Sequence, residues 1–251
     1  MPTYRLISPI PVMIECPEAM RAPIEYVFNG EYESHHDGHG LDILDIGANV
    51  GSFALWAALR WPGSRISSFE PNPGTFAYLA RNTAGHPNIG ITNAALFPGE
   101  MRRATFFARY DGDGEAGLES YARETFRDGA EGNTFEVDVV DPAKLPSADI
   151  VKIDIEGGES DVLAALDLSR TSLVLAEFQN RKNRVAMQQT LVGAGFEALV
   201  DEEAPWDPIL DFLDYRRELK GDVFGRMFYV KRGQTRLQHR PPVAGAPGAS
   251  G

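Results

Sequence analysis

An α/β fold with a mainly parallel sheet covered by helices on both faces is predicted by three features of this 251-residue chain. Short strand-type runs alternate with segments of helical periodicity. A glycine-bracketed turn joins the first central strand to the helix behind it. No Pro/Gly-rich linker interrupts the alternating series, so one body is expected.

Residues 1–40 read as an N-terminal cover. LDILDI (41–46) is the first strand of the body, and SFALWAALRW (52–61) is a helix whose Phe53, Leu55, Trp56 and Leu59 fall at core spacing. RISSFE (65–70) is the next strand, and PNPGTFAYLARN (71–82) has a Pro-rich start and an amphipathic body. Strands follow at IGITNAA (89–95), ATFFAR (104–109) and TFEVDVV (134–140). ADIVKIDIE (148–156) leads into the helix DVLAAL (161–166), and SLVLAEF (172–178) leads into NRVAMQQTLVGAG (183–195). GFEAL (195–199) and RMFYVKR (226–232) close the body, which spans 41–232. Within it, 203–222 reads as an insertion. Asp207 is its N-cap, Pro208 its first helical residue, and Ile209 and Leu213 recur at helical spacing, giving a surface helix able to act as a substrate lid. The Pro-, Gly- and Ala-rich stretch 233–251 has no periodicity to bury and is expected to be a disordered tail.

Charge narrows the partners. Lys and Arg sum to 24 against 36 Asp and Glu, a net charge of −12, which argues against general nucleic-acid or membrane-surface binding. Cys16 is the single cysteine, so neither an intramolecular disulfide nor a Cys-based zinc site can form. The N-terminus lacks the apolar core of a signal peptide, and nothing approaches the roughly 18 continuous apolar residues of a membrane span. A cytoplasmic location is expected. No feature of the chain specifies an oligomeric state.

LDIGANVGSFAL is the most informative segment. Asp45 ends a strand, Gly47 and Gly51 bracket a turn, and a helix starts at once, a general nucleotide-binding arrangement. A dinucleotide fingerprint needs glycine at 49 and a glycine at 52, but these are Asn49 and Ser52. An acid at the strand end would repel phosphates and suits a ligand with a cationic amino-acid end. Glu70 closes the next strand, where a carboxylate can accept both hydrogen bonds of a ribose diol. A free diol occurs in NAD and in S-adenosylmethionine, and the turn favours S-adenosylmethionine. A nicotinamide oxidoreductase is disfavoured by Asn49, and a binding protein without catalysis stays open.

DIGANVGSFAL, FEPNPGTFAYLARN, NAAL, IVKIDIEGGESDVLAAL and LAEFQ, in that order, resemble the FkbM family of class I S-adenosylmethionine-dependent methyltransferases. The resemblance covers about residues 30–200. It implies a Rossmann-like, seven-stranded, mainly parallel sheet ending in an antiparallel hairpin, and O-methylation of a sugar or natural-product scaffold with S-adenosylmethionine as cofactor. It places Asp45, Gly47, Asn49, Gly51, Glu70 and the adjoining Pro71 against the cofactor, with Asn93, Ala94 and Ala95 toward adenine and Tyr32 closing over it. VVDPAKL departs from the Leu-Asp-containing segment common in the family.

ADIVKIDIEGGE carries charges where a central parallel strand should be apolar. Val151, Ile153 and Ile155 share one face, and Lys152, Asp154 and Glu156 the other. Burying three charges costs several kcal/mol per ion unless they pair, so they point to a site or to an ion-pair network shaping the turn. Methyl transfer to a hydroxyl needs alignment and a group to receive the proton. Asp154 is the first choice for that group, Glu156 the second, and Lys152 a positioning cation bridging Asp154 to Asp45 or Glu177. Glu177 and Gln179 are assigned to the substrate. As an alternative, Asp154, Glu177 and Asn180 could supply oxygen ligands to Mg²⁺ clamping a vicinal diol.

His35, His36 and His39 are three of five histidines, and without Cys or a helical His-x3-His context they read as a polar loop. YDGDGEAGLES resembles a calcium loop, but Ala116 and Ala122 occupy its sixth and twelfth positions, and that reading is rejected.

Overall fold

The computed structural model of the chain describes residues 3–5, 11–33, 36, 38–110, 113, 116–121, 132–203 and 225–233. The helix expected from Asp207 and the tail after Gly233 lie outside the described residues, as does His35.

The main sheet has seven strands: β3 (Asp42–Ile46), β4 (Arg65–Phe69), β5 (Ile89–Thr92), β10 (Ile150–Ile153), β11 (Leu173–Phe178), β12 (Phe196–Glu203) and β13 (Gly225–Lys231). Their order across the sheet is β12-β13-β11-β10-β3-β4-β5. The five strands from β5 to β11 run parallel, while β13 is antiparallel to both β11 and β12. Helices α2 (Ser52–Arg60), α3 (Pro73–Thr83), α4 (Glu159–Ala165) and α5 (Arg181–Gly193) make the crossovers.

Successive residues of each central strand feed opposite cores. Ile43, Ile150 and Leu173 pack with Phe53, Leu55 and Trp61 of the α2 side. Leu44, Val151 and Val174 pack with Val162, Leu163, Met187 and Leu191 of the α4 and α5 side. Burial on both faces is why these strands are mostly apolar, and why Asp45 and Lys152 stand out within them.

The N-terminal segment adds a hairpin, β1 (Thr3–Arg5) with β2 (Pro11–Met13), and helix α1 (Arg21–Phe28). Ile24, Val27 and Phe28 enter the α2-side core. Asn82 ties this cover to the glycine turn, donating to Glu15 O at 2.9 Å and Val50 O at 2.8 Å while accepting from Glu15 N.

The structure departs from the single strand expected over IGITNAA. β5 stops at Thr92, and Ala95–Leu96 forms β6 in a second, four-stranded sheet. Asn93 makes the break, its Nδ2 donating to Glu70 O and Pro71 O at 2.8 and 3.0 Å. That second sheet has the order β6-β9-β7-β8, with β7 (Arg103–Ala108), β8 (Gly117–Leu118) and β9 (Asn133–Val140). ATFFAR and TFEVDVV are strands as expected, but they belong here and pair antiparallel to each other. Thr134, Glu136 and Asp138 are exposed whereas Val137 and Val139 are buried, the alternation of a half-covered strand. Phe106, Leu118, Val137 and Val139 form its own small core. No helix among the described residues is long and apolar enough to cross a membrane.

Candidate active site

The crevice opens at the carboxyl ends of β3, β4 and β10, where the strand connections diverge. It is lined by Gly47 and Asn49 of the glycine turn, by Phe69 at the end of β4 and Glu70 and Pro71 after it, by Asp154, Ile155, Glu156 and Gly157 after β10, and by residues of the second sheet.

The turn is tied inward. Gly47 N and Ala48 N donate to Phe69 O at 3.0 and 2.9 Å, Asn49 N to Glu70 Oε2 at 3.0 Å, Val50 N to Asn49 Oδ1 at 2.7 Å, and Gly51 N to Ala48 O at 2.8 Å. These amides are therefore committed to protein acceptors and do not form a phosphate cradle. Gly47 has φ +80°, and a Cβ placed there would lie 1.7 Å from Asp154 O. Gly47→Ala is expected to destabilise the fold by about 3 kcal/mol or more, from left-handed strain plus the backbone clash. The measurement is the thermal unfolding midpoint, and a midpoint equal to that of the wild type would contradict the close approach of the two strand ends.

Glu70 is buried at the crevice wall. Its Oε2 accepts from Asn49 N and its Oε1 from Asn72 N at 2.8 Å, so the carboxylate is aimed by backbone while each oxygen keeps a lone pair. Burial raises its pKa to about 7, against the opposing effect of these two amides.

Lys152 lies beneath the turn, 3% exposed. Its Nζ donates to Gly47 O at 2.7 Å and sits 3.7 Å from both Asp45 Oδ1 and Asp154 Oδ2. Burial works against the ammonium, but Asp154, Asp45, Glu177 and Glu31 outweigh it and its pKa is raised. Asp45 is fully buried behind the turn, accepts from Ser68 Oγ at 3.0 Å, and is not part of the crevice wall. Its carboxyl is raised by burial against the pull of Lys152. Asp154 lines the crevice, and its Oδ1 is buried with no hydrogen-bond partner. Burial raises its pKa too, with Lys152 opposing.

Strand alternation holds through Ile153 and then fails. Glu156 has φ +59°, a left-handed backbone that turns it onto the crevice wall by a different route from Lys152 and Asp154. Glu159, at the start of α4, enforces the turn by accepting from Ile155 N at 3.2 Å and Gly157 N at 2.9 Å.

Tyr32 is buried among Phe53, Trp56 and Phe228 and donates to Glu177 Oε1 at 2.9 Å. It packs against the acid cluster and is not part of the crevice wall. Burial, then Asp154 and Glu31, push the Glu177 carboxyl well above the ordinary range. Gln179 is half-buried in the bend after β11. Asn180 caps α5, its Oδ1 accepting from Asn183 N at 2.8 Å. Among the described residues, no three His, Cys, Asp or Glu side chains are grouped to hold a metal ion. Ala94 and Ala95 line the crevice, while Asn93 acts from outside as the clasp on Glu70 and Pro71. Gly51 is the N-cap of α2 with φ +94°, off the crevice wall. His36 lies at the opposite end of the strands, its Nε2 2.8 Å from Ser172 Oγ.

Sequence reasoning missed several residues of this constellation. Glu31, beside Tyr32, has a pKa raised to about 7 by burial and then Asp154, with Arg226 and Lys152 opposing. Ser68 is the cross-strand neighbour of Asp45, and a polar residue in a buried strand was its signal. Phe106, Asp113 and Leu118 reach the crevice from the second sheet, and no local pattern announces that.

A doubly wound sheet with a closing antiparallel hairpin and this crevice define a class I methyltransferase fold. Residues 45–219 match the Methyltransferase FkbM domain, and the chain belongs to that family of methyltransferases. Methyltransferase 1 of Beauveria bassiana is 27% identical over 188 residues, 66% of this chain and 76% of that protein. The 31-O-demethyl-FK506 methyltransferase FkbM of Streptomyces tacrolimicus is 28% identical over 193 residues, 64% of this chain and 74% of that protein. Among solved structures, precorrin-6y C5,15-methyltransferase from Geobacter metallireducens aligns with a TM-score of 0.44 at 15% identity, over 87% of this chain and 90% of that one.

Proposed function

We propose that this methyltransferase moves the methyl group of S-adenosylmethionine to a hydroxyl of a small molecule, a sugar or natural-product scaffold, with Asp154 receiving the hydroxyl proton. The observation that carries the reading is Asp154 Oδ1: it is buried at the crevice wall, lacks a hydrogen-bond partner, and belongs to a carboxylate held by Lys152 at 3.7 Å. The donor fits the crevice chemistry. Glu70 offers two aimed acceptors to a ribose diol, and the turn amides have no vacancy for a pyrophosphate.

The donor, when bound, supplies an electrophilic methyl on a sulfonium. Asp154 would receive the hydroxyl proton of the acceptor as its oxygen is methylated. Lys152 Nζ lies between Asp154 and the Gly47 carbonyl, so one ammonium positions both the base and the turn. Acidity of the chain supports a small neutral acceptor over nucleic acid. The relative from Streptomyces tacrolimicus, named for a 31-O-demethyl-FK506 substrate, supports a hydroxyl of a natural product.

Incubating the protein with methyl-labelled donor and an acceptor panel, read by mass gain of one methylene, tests the assignment. A Mg²⁺ clamp on a vicinal diol is the second reading, and the commitment of Glu177 to Tyr32 and of Asn180 to its helix disfavours it. Treatment with EDTA is expected to leave turnover within about twofold, whereas loss reversed by Mg²⁺ would favour the diol clamp.

A further inference from the structure

We propose that Tyr121 is a positioning residue whose ring clamps the turn after β10, so that the second sheet fixes where Asp154 stands in the crevice. This rests on the reading of Asp154 above and deepens it. The turn needs holding. Glu156, Gly157 and Gly158 follow one another with φ of +59°, +115° and +87°. Left-handed backbone at a residue with a side chain, such as Glu156, persists only where its surroundings over-determine it. Glu159 supplies one restraint from within, through the amides of Ile155 and Gly157.

The second restraint comes from outside, where Tyr121 lies across the bare backbone of both glycines. A Cβ built on Gly157 would stand 2.7 Å from Tyr121 Cβ, and one on Gly158 2.6 Å from Tyr121 Cε2, so this approach is open to glycine alone. The ring is anchored on its own side by Phe97, at 6.3 Å between centroids, and by the small core of the second sheet. Its Oη donates to Asp161 Oδ2 in the first turn of α4. Gly117 of β8 closes on the same turn, where a Cβ would lie 3.2 Å from Glu156 O. Asp154 immediately precedes the turn, and Ile155, Glu156 and Gly157 continue the crevice wall from it, whereas Tyr121 is not part of that wall. Methyl transfer requires close alignment, and a displacement of about 1 Å can cost about 100-fold in rate. A ring that fixes the turn therefore acts on the rate through Asp154.

The test compares the full chain with Tyr121→Ala and Tyr121→Phe. Three quantities are read: hydrogen exchange by mass spectrometry, calorimetric binding of S-adenosylhomocysteine, and methyl transfer to whichever member of the acceptor panel the wild type methylates. In Tyr121→Ala the amides of Ile155 and Gly157 are expected to exchange at least about tenfold faster, with β3 and β4 unchanged. Its kcat should fall by about 10- to 100-fold while affinity for S-adenosylhomocysteine stays within about threefold. Tyr121→Phe keeps the ring and loses only the bond to Asp161, and should restore exchange and kcat to within about threefold of the wild type. Tyr121→Leu, apolar but without a flat ring, replaces Tyr121→Ala if that variant does not fold. Unchanged exchange at Ile155 and Gly157 overturns the clamp, as does faster exchange with kcat within about threefold. Loss of binding and kcat in equal proportion also overturns it, since that marks a merely structural ring. A Tyr121→Phe variant as impaired as Tyr121→Ala overturns the role of the ring. Should Asp154→Asn keep its turnover while the Tyr121 variants behave as expected, the base reading fails and the clamp stands. If the wild type methylates no acceptor, the proposed function fails, and exchange alone decides the clamp.

Discussion

Asp154→Asn is expected to lower kcat by about 10²- to 10⁴-fold, the usual worth of a positioned proton acceptor, while affinity for S-adenosylhomocysteine changes by less than about threefold. The substitution keeps shape and volume, and an amide can still accept from Lys152, so the turn over Gly47 should hold. What is lost is the basic lone pair on Oδ1. The pH profile supplies a second readout. Burial raises the Asp154 pKa, so the acid limb of the wild-type rate profile should lie above the ordinary aspartate range near 4. The rate rises with pH through that limb because the ionised form is the base, and in Asp154→Asn the limb should disappear. A variant with near-normal turnover would show that the proton leaves by another route, with Glu156 the next candidate on the crevice wall.

Affinity for the donor's product should fall as pH drops below about 7, because Glu70 protonates there. The sign follows from linkage. The diol donates two hydrogen bonds, so it binds the ionised carboxylate in preference to the acid. Below the free-state pKa, binding must expel a proton, and the dissociation constant rises by up to about tenfold per pH unit. Above it, affinity is flat. Glu70→Gln should weaken binding by about 100-fold at pH 8, the loss of charge-assisted bonds to a diol, and should flatten the pH dependence. Calorimetry between pH 5.5 and 8.5 reads both effects. Because Glu31 also titrates at about 7, the variant is what assigns the dependence to Glu70. A wild-type affinity constant across that range would contradict the diol role.

Much of the architecture was legible because the physics behind it is local. Strands β3, β10 and β11 are buried on both faces, so their mostly apolar segments stand out. Gly47, Asn49 and Glu70 were identifiable because a strand–turn–helix unit places an acid and a glycine at fixed steps from one another. Lys152 and Asp154 were conspicuous as charges on a strand that ought to be apolar. Asp45 was equally visible, but its direction was not. Only the pairing of Asp45 with Ser68 across β3 and β4 and with Lys152 across β3 and β10 shows that it braces the turn from behind.

The chain pattern alone therefore determined the main strands and helices of the body, and which charges demand a partner, since both depend on neighbours a few positions away. It did not determine the break after Thr92 or the hairpin and helix of the N-terminal cover. Tertiary structure decided the assignment of ATFFAR and TFEVDVV to a separate sheet, the arrival of Phe106, Asp113 and Leu118 at the crevice, and the seating of Glu31 and Tyr32 against Glu177. Those contacts join residues as far as 145 positions apart. Their energies depend on distance, burial and dielectric in the folded chain, none of which is expressed in the order of residues.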